Sequence, residues 1–143
     1  MLKPQQKTMK KFLIFLGIVC LIAGVSLFSN SLLRIDREGT FSVFDQFDNV
    51  RVYEERPILY RYQNPNYFTR FDTIGSIQDA QEILRYLGAR ELFREYVNDI
   101  IIIYAHSPLI TKYQRVHRRR VNVMIAIRND RISVGSPLLK GSF

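Results

Sequence analysis

The apolar positions of this chain change period several times, and each change marks an element. From Phe12 to Leu33 the run FLIFLGIVCLIAGVSLFSNSLL carries no charge and no polar stripe, which predicts a helix apolar on all sides. Its length suffices for a helix crossing a ~30 Å hydrocarbon core. Residues 35–66 then read as extended structure: TFSVFDQF and VRVYEERPILYRY are rich in Val, Phe and Tyr, broken at Asp48-Asn49 and Pro57, and closed by an Asn64-Pro65-Asn66 turn. In GSIQDAQEILRYLGA the period becomes helical, with Ile77, Ala80, Ile83, Leu84 and Leu87 on one side, Ser76 as cap, Asp79 at the third helical position and Gly88 as the stop. A second short helix is expected over Arg90 to Asn98, burying Leu92, Phe93 and Val97.

The period changes again at DIIIIYAHSP, a continuous apolar run of strand length that Pro108 stops. TKYQRVH is a weaker extended segment. Val121, Val123, Ile125 and Ile127 then alternate with Asn122, Met124 and Ala126, and Asn129-Asp130 makes a tight turn into RISV. The C-terminal part therefore predicts a three-stranded antiparallel meander. The expected fold class is α+β: an N-terminal transmembrane helix followed by a small two-layer domain, an antiparallel sheet packed on one or two helices. The divisions are a basic N-terminus (1–11), a transmembrane signal anchor (12–33) and the α+β domain (34–143).

Charge sharpens the location. The 143 residues carry a formal net charge of +8, half of it on Lys3, Lys7, Lys10 and Lys11, and no acid precedes Asp36. The positive-inside rule then places the N-terminus in the cytoplasm and the domain outside it, in a single-pass protein of the cell membrane. Arg34 and Arg37 beyond the apolar run are accompanied by Asp36 and Glu38. A cleaved secretion signal is the alternative, with Ser29-Asn30-Ser31 as the small-x-small site. Val19 before Cys20 excludes a lipoprotein signal. Cys20, the one cysteine, allows no intrachain disulfide and no cysteine zinc cluster, and reads as a small apolar membrane residue.

Candidate chemistry is sparse. His106 adjoins Ser107, but neighbours on a strand point to opposite faces, so a satisfied, partly buried imidazole is expected in place of a nucleophile and base. His117 and His106 lack an acidic third ligand at metal spacing. Glu54-Glu55 lie between Arg51 and Arg56 as a solvated edge. Glu82 with Arg85, and Glu91 and Glu95 with Arg90 and Arg94, follow the pattern of an exposed helix face. Gly135 and Gly141 mark a bulge and a turn. No catalytic residue, cofactor or metal is expected, and the chain reads as a non-enzyme. Two basic features remain. Tyr53, Tyr60, Tyr62, Tyr67, Phe68 and Phe71 interleave with Arg51, Arg56, Arg61 and Arg70, as a stacking platform or, by preference, as core and edge. Arg115, Arg118, Arg119 and Arg120 form a candidate surface for a polyanion or a partner protein.

The element ending in Tyr104 to Ser107-Pro108, the Arg-Val-Asn-Val strand at Arg120 to Val123, and the ending Ile132-Ser133-Val134-Gly135-Ser136-Pro137-Leu138-Leu139 with Gly141-Ser142-Phe143 resemble the C-terminal part of the YwmB-like proteins of spore-forming Firmicutes, whose fold is similar to that of the TATA-box-binding protein. The resemblance spans roughly Asp99 to Phe143. It implies an exported or membrane-targeted protein and supplies no catalytic residues. The functional expectation is a membrane-anchored extracytoplasmic binding or accessory domain of the bacterial envelope, linked to sporulation through the resemblance. Its partners would be the membrane and an envelope protein or anionic envelope polymer. The alternatives are an exported enzyme acting on a glycan, through Glu54, Glu55 or His106, and, with reversed topology, a nucleic-acid-binding domain.

Overall fold

A computed structural model describes residues 4–29, 32, 35–45, 47, 49–53 and 68–141, with side chains from residue 6 to 21 in the first helix. The order is α1 (Pro4–Ser29), β1 (Thr40–Phe44), β2 (Val50–Tyr53), β3 (Phe68–Ile74), α2 (Ile77–Tyr86), β4 (Arg90–Val97), β5 (Ile100–His106), β6 (Gln114–Val116), β7 (Arg119–Val121), β8 (Val123–Arg128) and β9 (Arg131–Ser136). Seven strands form one antiparallel sheet in the order β2-β1-β3-β9-β8-β5-β4, and β6 and β7 pair apart from it.

The register explains the core. Phe41, Phe71, Val134, Ile125 and Ile103 stand opposite one another in a row across five strands, and the alternation of β-structure sends all of them to the same face. Ala80, Ile83 and Leu84 of α2 and Leu87 at its C-cap cover that face, joined by Leu32, Ile35, Ile110, Ile127 and Ile132. Each large side chain so buried contributes about 1.5–3 kcal/mol. Asp79 fixes the start of α2, since its carboxylate accepts from the Ser76 N–H at 2.7 Å and from the guanidinium of Arg37 at 2.6 Å. At the other end Gly88 takes φ +59°. Its N–H meets the Arg85 carbonyl and the Ala89 N–H that of Leu84, a Schellman ending.

Two expectations are corrected here. The chain is mostly sheet, and among the described residues no helix is long and apolar enough to cross a membrane. The described apolar side chains of α1 include those from Phe12 to Leu21. They are exposed, Cys20 among them. The transmembrane helix of the expected fold is therefore not supported.

The second helix is also absent: Arg90–Val97 is the edge strand β4, paired to β5 through the two-residue Asn98-Asp99 turn. A bulge between Glu91 and Phe93 leaves Leu92 without a register partner. That extra residue places two apolar side chains side by side in the sequence, which imitates a helical stripe. Glu91 and Arg94 pair at 2.6 Å on this strand, not on a helix face. The Asn129-Asp130 hairpin forms as expected, with Arg128 opposite Arg131 and Asn129 at φ 55°.

Candidate functional site: a basic hairpin arm

On the second face of the sheet a buried apolar cluster lies near one end, where Ile102, Tyr104 and Met124 meet Val121, with Leu92, Phe93, Val116, Leu138 and Leu139 around them. The cover there is a small arm, the pair β6–β7 with register Arg115↔Arg120 and Val116↔Arg119. Alternation gives this arm two sides. Val116, Arg119 and Val121 are on the side toward the sheet, where Arg119 stays exposed at the rim, while Arg115 and Arg120 turn away and are exposed. Arg120 lies over the Tyr113 ring at 4.8 Å.

The turn consists of His117 and Arg118, both left-handed at φ 47° and 65°. Two-residue hairpins of this kind favour Asn-Gly, and side chains larger than Asn cost about 1–2 kcal/mol per residue in that conformation. The surrounding contacts hold it. His117 Nε2 is 3.3 Å from Glu95 Oε1 and its ring meets Phe93 edge-on at 5.4 Å. Tyr104 donates its hydroxyl to Glu95 Oε2 at 3.1 Å, while burial, then the carboxylate, pushes its phenol pKa up. Arg119 Nη1 donates to the Leu92 carbonyl at 2.8 Å, so it satisfies the residue that the bulge left unpaired.

The four expected arginines therefore separate. Arg115, Arg118 and Arg120 point to solvent, and Arg119 seats the arm. Sequence alone missed the seat, Leu92, Phe93, Glu95 and Tyr104, because a strand read as a helix cannot present a bulge carbonyl. From Ile100 to Asn129 the chain has no acid, so Glu95 supplies the arm's carboxylate contact from β4.

The other candidates gain no chemistry. Glu54 and Glu55 lie outside the described residues, as do Arg56, Pro57, Ile58, Tyr60, Arg61, Tyr62, Asn64, Pro65, Asn66 and Tyr67. Phe71 is core, its ring tilted against that of Phe41 at 4.8 Å, and Phe68 carries Lys112 and Lys140 over its ring in place of arginines. His106 is half-buried, but its Nδ1 is buried without a partner among the described residues, which corrects the expectation of a satisfied imidazole. Ser107 faces away into a buried clamp: its N–H and carbonyl both bond the Asn122 amide at 2.7 Å, and its hydroxyl donates to the Leu87 carbonyl at 2.6 Å. Among the described residues no cluster of His, Cys, Asp and Glu is placed to hold a metal. Gly135 is not at a bulge. A Cβ there would stand 2.6 Å from the Leu139 backbone, so glycine admits the C-terminal tail against β9. No family profile, no curated protein and no solved structure matches this chain.

Proposed function

We propose that this chain is an exported, noncovalent binding domain of the bacterial envelope, which holds an anionic polymer through the β6–β7 arm. The observation that carries the reading is the arm itself: Arg115, Arg118 and Arg120 are presented to solvent on and beside a turn whose backbone is held in an unfavourable conformation by contacts to β4. Backbone strain kept in place by its surroundings is a mark of a working surface. Guanidinium groups on a short rigid arm suit phosphate or carboxylate polymers, which they meet by bidentate hydrogen bonds. The lysines at the start of the chain, Lys3, Lys7, Lys10 and Lys11, and the exposed apolar residues of α1 that follow support a place at the membrane side of the envelope. The likeness of Asp99–Phe143 to YwmB-like proteins supports the same setting and a role in spore-forming cells.

A reporter fused after Phe143 tests the location on which the choice of polymer depends. Activity of a reporter that matures only outside the cytoplasm is the expected result. A C-terminus inside the cell would reject the reading and favour nucleic acid as the polyanion met by the same arginines.

A further inference from the structure

On the same face as the arm, toward the other end of β8, the sheet is open and forms a cleft of about 590 Å³. Its floor is Ala126 and Ser133, which stand opposite each other in the register, with Asp72 next in the row. Its two ends differ in character. At one end Arg70, Asp72 and Ser133 form a charge-neutral group, with Arg70 Nη1 also donating to the Lys140 carbonyl at 3.1 Å. Arg70 Nε donates to both carboxylate oxygens of Asp72 at 2.9 and 2.8 Å, Arg70 Nη2 donates to Ser133 Oγ at 3.2 Å, and Ser133 donates to Asp72 Oδ1 at 2.5 Å. Asp72 Oδ2 takes only the Arg70 bond among these, which leaves it room to accept from a hydroxyl.

At the other end Arg128 and Arg131 stand directly opposite across the Asn129-Asp130 hairpin, on the cleft side. Like charges in directly opposed positions destabilise a sheet. Asp99 answers one of them, at 3.0 Å from Arg128 Nε, and Arg131 has no ion pair among the described residues. Beside the arginines at this end Ile74, 70% exposed and directly opposite Arg131 in the register, offers an apolar wall.

We infer that this cleft binds a small polyhydroxylated anion, a sugar unit carrying one carboxylate or phosphate, with its anionic group on Arg131 and Arg128, its C–H face on Ile74 and Ala126, and its hydroxyls on Asp72 and Ser133. The volume is that of a small-molecule site with few convergent polar groups. A bare inorganic anion leaves the neutral end unused, and a neutral sugar leaves the arginines unanswered. The assignment rests on the reading of this face as anion-binding, and names one unit of what it would recognise.

The test is calorimetric titration of the full chain, in a detergent without a sugar headgroup, with D-glucuronate, glucose 6-phosphate, glucose and inorganic phosphate. Both sugar anions are expected to bind, and glucose and phosphate to bind at least about tenfold more weakly, the worth of one charge-assisted contact. Arg131→Gln should weaken the sugar anions by about tenfold with an unchanged circular dichroism spectrum. Ala126→Leu, which fills the floor, should abolish binding. Tighter binding of an oligouronate than of glucuronate assigns the unit to a polymer; equal or weaker binding assigns a free sugar acid or sugar phosphate. Glucose binding as well as glucuronate, or undiminished binding by Ala126→Leu, would overturn the inference. An Arg118→Ser, Arg120→Ser variant should keep its sugar affinity while losing polyanion retention, so the cleft and the arm can fail separately.

Discussion

Asn122 uses its whole amide on the chain that leaves β5. Its Oδ1 accepts from the Ser107 N–H, and its Nδ2 donates to the Ser107 and Ile110 carbonyls, each at 2.7 Å and fully buried. The sequence showed this residue only as the polar position in an alternating strand. Its partners lie at Ser107 and Ile110, beyond the reach of any local pattern. Asn122→Ala leaves the buried Ser107 N–H and Ile110 carbonyl without their partner and takes one of two donors from the Ser107 carbonyl, and should lower the unfolding free energy by more than about 2 kcal/mol, read from the urea midpoint. A loss under about 1 kcal/mol would contradict the clamp. Arg118 gives the opposite test. Arg118→Gly relieves the left-handed turn and should leave stability equal or raise it by up to about 1 kcal/mol, while weakening polyanion retention. Stability and binding falling together would mean that the tip is held for the fold alone.

At the level of elements, α2 was legible because every signal for it is local: the Ser76 and Asp79 pair, the apolar spacing from Ile77 to Leu87, and Gly88 at positive φ. The edge strand β4 was not. Its bulge disrupts the period of two, its exposed side carries the charges that protect an edge from pairing, and both features look helical in one dimension. Acid should act on α2 first. The Ser76 backbone N–H, and after it Arg37, hold the Asp79 carboxyl at about 2 against an ordinary 3.8. A lowered carboxylate pKa means that its stabilisation is complete above the unfolded value and is lost as pH falls toward the folded one. Urea midpoints should therefore decline between about pH 4 and pH 2, and Asp79→Asn should make that decline shallower. Parallel acid limbs in the two proteins would refute the assignment. Asp99, lowered by its bond to Arg128, adds to the same limb.

For the molecule as a whole, the basic run in the sequence was visible, but its division into two sides was not, since only the β6–β7 register separates Arg119 from Arg115, Arg118 and Arg120. The cleft was hidden for the same reason. Arg70 and Asp72 alternate innocently in FTRFDTI, and Arg128 and Arg131 look like the flanks of a turn, until β3, β9 and β8 align them on one face. A single sheet face then carries both an exposed arginine arm and a cationic cleft, opposite the face that α2 buries. The measurement that bears most directly on this account is the salt dependence of polyanion binding by the full chain and by an Arg115→Ser, Arg118→Ser, Arg120→Ser variant. Binding through the arm predicts that log K against log salt is shallower in the variant by roughly 2–3, with weaker retention at every salt concentration. Superimposed lines would show that the arm does not carry the interaction.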